Sequence, residues 1–139
     1  MSAKLRPMPS FEVGAIYRVR TVLVTPPKDK IMLYVGNEFF LWFNTLAKQQ
    51  TGQLCVQPGE CPEITHECYL NCSRVTLFPE AERAAARHCG VADIKFLTMV
   101  VEEIELRATG MPGVQRKTVA ANLRLEHPAI PANAGRGSP

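Results

Sequence analysis

The 139 residues predict an α+β fold, a small and strongly bent β-sheet or barrel with helices packed on one side. Three observations carry that expectation. Two almost unbroken apolar runs, residues 31–35 and 39–43, flank Gly36-Asn37-Glu38. Strand-like patterns dominate up to about residue 78. From Pro79 onward the composition changes to helix formers. With 46% hydrophobic residues the chain can bury a core of ordinary size, and its length suits one domain. The expected organisation is a flexible lead-in over 1–10, a single α+β domain over 11–125 and a disordered tail over 126–139. Within the domain, strands run to about 78 and helices follow from 79.

The central stretch is a hairpin signal, because glycine accepts the positive φ that tight turns require. Both runs are apolar at nearly every position, so both faces of these strands should be covered, with Trp42 in the core. Upstream, Ile16, Arg18 and Arg20 alternate with Tyr17, Val19 and Thr21, which predicts a strand from about Ala15 with Tyr17 and Val19 inward. Pro26-Pro27 then breaks the run, since proline offers no N–H to a ladder. Residues 46–53 read as a polar connecting loop, and Leu54-Cys55-Val56 as a short strand. Residues 65–78 read as one long strand, bent at Asn71, with Cys68, Leu70 and Cys72 on one face.

Pro79 suits a first helical turn and Gly90 a C-terminal cap, so residues 79–90 read as a helix. Asp93 is placed to cap a second helix from Ile94 to about Ala108. Leu97, Val101 and Ile104 form its apolar stripe, and Glu102, Glu103 and Glu105 are expected to face solvent. A third helix over 114–125 carries Arg116, Lys117 and Arg124. Pro, Gly, Ala and Asn dominate thereafter, hence the expected tail.

Charge and cysteine content limit the chemistry. A net charge of +3 permits an anionic partner but is far from a polybasic nucleic-acid arm. No apolar run reaches the roughly 18–20 residues that span a bilayer, and residues 1–10 lack the apolar segment of a signal peptide. The expectation is a soluble cytoplasmic protein with no membrane partner. Cys55, Cys61, Cys68, Cys72 and Cys89 are an odd set without an export signal, which argues against a disulfide framework. Zinc would use Cys55, Cys61, His66, Cys68 and Cys72, but none of their gaps forms the C-x2-C knuckle of structural zinc sites. Reduced, mostly buried thiols are the expectation, with no metal and no cofactor.

Val13-Gly14-Ala15-Ile16-Tyr17, then the strand from Lys30 to Val35, then residues 39–43 ending in Asn44-Thr45, then Tyr69 to Val75 with Arg74, then a helical stretch after Gly90 form an ordered series. In that order the chain resembles the MazF/PemK-type toxins, over most of residues 13–107. The resemblance implies an SH3-like barrel with C-terminal helices that binds or cleaves single-stranded RNA. It implies RNA and an antitoxin protein as partners, and a homodimer. The first segment lacks the acidic residue common in the family. The loop between the first strands lacks its Gly- and Arg-containing signature, and Lys30 stands where family members place an arginine.

By that resemblance Lys30 and Thr45 would form the catalytic phosphate site. Lysine is a point charge, so it could bind phosphate without reproducing a bidentate clamp. The competing reading is a solvated lysine at a strand start and a threonine closing a strand. Arg18, Arg20 and Lys28 form the one basic concentration near a rigid element, and would contact nucleic acid at roughly one charge per phosphate. The competing reading, an ordinary solvated strand face, is the simpler one. His66 and Arg74 have even separation, but eight residues of strand put them roughly 26 Å apart, too far for one compact site. The other functional class is a non-catalytic protein-interaction module, such as an accessory protein of a mobile element.

Overall fold

The computed structural model describes residues 10–46 and 51–132. Residues 1–9, 47–50 and 133–139, which include most of the expected lead-in and part of the expected tail, lie outside the described residues. Six strands form one antiparallel sheet: β1 (Ala15–Thr21), β2 (Lys28–Tyr34), β3 (Phe40–Asn44), β4 (Gln53–Val56), β5 (Cys68–Asn71) and β6 (Arg87–Val91). The short α1 (Glu80–Ala84) precedes β6, and α2 (Ile94–Leu106) and α3 (Gly113–Glu126) follow it.

The strand order is β4-β5-β3-β2-β1-β6. β4 and β6 are therefore the two edges, and the sheet is neither strongly curled nor closed. This overturns both the strongly bent sheet and the SH3-like barrel. The physical cause lies in β6. Where composition predicts the end of a helix, residues 87–91 extend and pair with β1, Ile16 opposite Gly90 and Tyr17 opposite His88, with a register shift between them. β1 thus finds its second neighbour in β6, and the sheet grows sideways rather than round. Helix propensity is a weak prior, and the chance to complete a strand's ladder outweighs it here.

The central hairpin forms as expected. Met32 pairs with Trp42 and Tyr34 with Phe40, and Gly36, Asn37 and Glu38 all take positive φ. Asn122 of α3 holds this turn, its amide donating to the Val35 carbonyl at 3.0 Å and to Asn37 Oδ1 at 2.8 Å. Alternation along β2 and β3 then feeds two cores. Leu33, Leu41 and Phe43 join Ile16, Leu70, Val56 and the buried stripe of α2 and α3 on one face. Met32, Tyr34 and Phe40 join Tyr17, Val19 and Phe78 on the other, with Phe11 packed against them. Coverage of both faces is what the continuous apolar runs require.

Asp93 caps α2 by accepting the Phe96 N–H at 2.8 Å, and Leu97, Val101 and Ile104 are fully buried. Glu103, expected in solvent, is buried and pairs with Arg107 at 2.8 Å, one turn on. The expected long strand over 65–78 is interrupted. Asn71 Oδ1 accepts from the Ser73 N–H (3.0 Å) and hydroxyl (2.6 Å), an Asx-type turn that competes with the ladder. Pairing resumes only at Thr76, which bridges to Phe40. Beyond α3, residues 127–132 fold back: Ile130 is buried in the core and His127 Nε2–H donates to the Val13 carbonyl at 2.8 Å.

The cysteines are free thiols. Burial pushes Cys61 up to about 12 and Cys72 well above the ordinary value of 9.0. Unfolded thiols ionise near 9.0, so above that pH the unfolded chain loses protons that the folded chain keeps. Stability should therefore fall as pH rises from about 9 toward 12, at up to about 1.4 kcal/mol per pH unit for each thiol. Denaturation midpoints measured under reductant test this, and Cys61→Ala should flatten the slope. An unchanged slope in that variant would contradict the assignment.

Candidate functional site

Two clefts open on the two faces of the sheet, near the end where β2 begins and β3 ends. The first, about 280 Å³, lies between the sheet and the loop joining β4 to β5. Ile31, Phe43, Ile64 and Cys68 supply apolar lining, and Arg18, Asp29, Glu63, Thr45, Thr65 and His66 supply polar groups. Arg18 donates to Glu63 at 2.7 Å, and that bond holds its guanidinium pKa above the ordinary value. Thr65 Oγ1 lies 3.0 Å from His66 Nδ1.

Three of the residues expected at a phosphate site, Arg18, Lys30 and Thr45, thus border one cleft. Arg20 and Lys28 do not line it. Arg20 turns instead to Asp29, 3.5 Å away. Lys30 borders the cleft, but strand alternation sends its ammonium to the opposite face, 5.3 Å from the centre of the Trp42 ring. Arg18 is the strongest cation of this cleft, and a carboxylate already holds it.

The second cleft, about 400 Å³, is on the other face. Trp42 and Asn44 come from β3, Asn71 from the end of β5, Arg74 and Thr76 from the turn and bridge that follow, and Leu23 and Val24 from the loop after β1. Hydrogen bonds hold several of these segments. The Thr76 N–H and carbonyl bond to Phe40 at 2.9 and 3.0 Å. Asn71 is tied to Gln53 at 2.9 Å as well as to Ser73. The Val22 N–H donates to Glu82 of α1 at 2.9 Å, and the Leu23 N–H to Thr21 Oγ1 at 3.0 Å. Trp42 stacks on Phe78, ring centres 6.2 Å apart and planes almost parallel at 4°.

Two polar groups here lack partners among the described residues. Arg74 is exposed and makes no hydrogen bond or ion pair there, whereas Arg18, Arg20 and Arg83 are each paired. The indole N–H of Trp42 is buried with no acceptor, and buried indoles normally find one. His66 and Arg74 belong to different clefts, as their spacing required. The Trp42–Arg74 cleft was not legible as a site, because its residues come from three separate chain segments. The apolar run placed Trp42 in the core, and it is only half-buried.

No protein-family model, no curated protein and no solved structure matches the chain. The open sheet overturns the resemblance to MazF/PemK-type toxins, and the readings that rested on it fall with it: RNA binding, endoribonuclease activity and membership of a toxin–antitoxin pair. Among the described residues no three His, Cys, Asp or Glu side chains are grouped to hold a metal ion. No described helix is long and apolar enough to cross a membrane.

Proposed function

We propose that the chain is a non-catalytic protein-interaction module that takes a carboxylate-bearing segment of a partner protein into the Trp42–Arg74 cleft. The observation that carries this reading is Arg74, an arginine without a partner among the described residues in a cleft walled by Trp42, Leu23 and Val24. A guanidinium presents a planar fork matched to a carboxylate. An apolar wall with a few placed polar groups is the usual composition of a recognition site. Among the described residues eight large hydrophobic residues are exposed, and Val22, Leu23, Leu46 and Leu77 lie within two positions of residues lining this cleft. Exposed apolar groups gathered around a cleft favour a macromolecular partner over a small solute. Nucleic acid is the poorer fit, since a phosphate chain calls for a row of cations with net positive charge, and Arg18 and Arg20 are each neutralised by a neighbouring carboxylate, Glu63 and Asp29.

Trp42 is the sole tryptophan of the chain, so its fluorescence reports on the cleft. Titration with acetyl-Leu-Glu-Leu-amide should produce a saturable change, and the glutamine analogue should bind about tenfold or more weakly, as loss of a charge-assisted pair predicts. Arg74→Ala should erase that preference while leaving the denaturation midpoint within error. Equal response to the two peptides, or an unchanged preference in Arg74→Ala, would defeat the proposal.

A further inference from the structure

The cleft on the opposite face takes a different ligand. We infer that it is a binding site for a free α-amino acid with an apolar side chain. The inference is independent of the partner surface, since the two clefts lie on opposite faces and only Asn44 borders both.

The charges in this cleft are of both signs and close together. Arg18 meets Glu63 at 2.7 Å, with side chains 30% and 37% exposed, so both remain open to solvent on one side. Asp29 adds a second carboxylate to the lining, 3.5 Å from Arg20 and still 42% exposed. A ligand bearing one charge would have to break or crowd this pair. A zwitterion would satisfy it. Its carboxylate can take guanidinium N–H groups of Arg18 that the bond to Glu63 leaves over, since arginine has five donors. Its ammonium can be accepted by Glu63 and Asp29. The hydroxyls of Thr45 and Thr65 supply further polar lining.

Between these groups the lining is apolar. Phe43, Ile64 and Cys68 are buried members of the core, and Ile31 packs against it. An aliphatic or aromatic side chain of the ligand would rest there and remove apolar area from water. The volume, about 280 Å³, is at the lower limit of small-molecule sites, which suits one amino acid better than a peptide. Burial holds the Cys68 thiol above its ordinary pKa, so at neutral pH it contributes an apolar surface and not a third negative charge.

The test is calorimetric titration of the intact chain with L-leucine and L-phenylalanine, beside two analogues of leucine. Leucinamide keeps the ammonium without the carboxylate, and 4-methylpentanoate keeps the carboxylate without the ammonium. Each analogue should bind about tenfold or more weakly than leucine, as the loss of one charge-assisted contact implies. Arg18→Gln should selectively weaken leucine relative to leucinamide, and Glu63→Gln should weaken leucine relative to 4-methylpentanoate. Both variants change an exposed pair and should keep the wild-type denaturation midpoint closely. No heat with any amino acid, or analogues that bind as well as leucine, would overturn the inference. If these outcomes appear while Arg74→Ala still abolishes peptide preference, only the amino-acid site is lost.

Discussion

Phe40→Ala is expected to remove about 3–5 kcal/mol of folding stability, the largest single effect anticipated in this molecule. Phe40 is fully buried, and its ring centre lies 5.0 Å from that of Tyr34, 5.3 Å from Phe78, 5.4 Å from Phe11 and 6.2 Å from Tyr17. Truncation leaves a void among rings that cannot collapse into it, because Tyr17 and Tyr34 are anchored at both ends. Their strands fix the backbones, and their hydroxyls accept the N–H groups of Glu12 (2.8 Å) and Glu38 (3.0 Å). Phe40 also carries the backbone bridge to Thr76, so the Trp42–Arg74 cleft should loosen with it. Denaturant unfolding measures the loss. A midpoint shift corresponding to less than about 1 kcal/mol would mean that this face is plastic, and would refute the rigid packing described.

Gly14→Ala should cost about 2–3 kcal/mol, combining a left-handed backbone with one lost hydrogen bond. Gly14 has φ +93°, and an added Cβ would lie 2.5 Å from His127 Nε2 and 3.1 Å from Leu97 Cδ1. The same residue donates to the Tyr34 carbonyl at 2.9 Å and accepts from the Ala92 N–H at 3.0 Å. It therefore fastens the start of β1 to the end of β2 and to the approach to α2. The histidine ring has little room to yield, since its N–H is bonded to the neighbouring Val13 carbonyl. Combining Gly14→Ala with His127→Ala separates the causes by a double-mutant cycle. A double variant less destabilised than the sum assigns the cost to the ring, and strict additivity assigns it to φ. A wild-type midpoint in Gly14→Ala itself would contradict both.

The parts of the fold that could be read from the chain are those governed by short-range rules. Gly36 marked its hairpin because the turn needs positive φ, and Asp93 marked α2 because a carboxylate before an apolar stripe caps a helix. The misread parts depend on distant neighbours. Residues 87–91 are a strand because β1 had an open side, a fact held by no local residue. Glu103 is buried because its turn of α2 meets the sheet, although the charge pattern alone put it outside. The turn at Asn71-Ser73 was visible only as a bend within a presumed strand, so Arg74 was assigned to the wrong environment. Arg18, Lys30 and Thr45 do border one cleft, but strand alternation carries the Lys30 ammonium through to the other face.

The two cores on either side of β2 and β3 have a consequence for how the chain can vary. In a sheet with one wet face, every second strand position is free to change, and substitutions drift without loss of fold. Here, positions 32–35 and 40–41 are consecutive and all buried, so no such alternate freedom exists. A saturation scan should therefore show intolerance at every position of 32–35 and at 40 and 41, in contrast to the half-exposed edges β4 and β6. Insertion of a single residue in either arm would exchange the contents of the two cores at once. The hairpin is thus expected to hold its length rigidly, with insertions and deletions confined to the loops and edges around it.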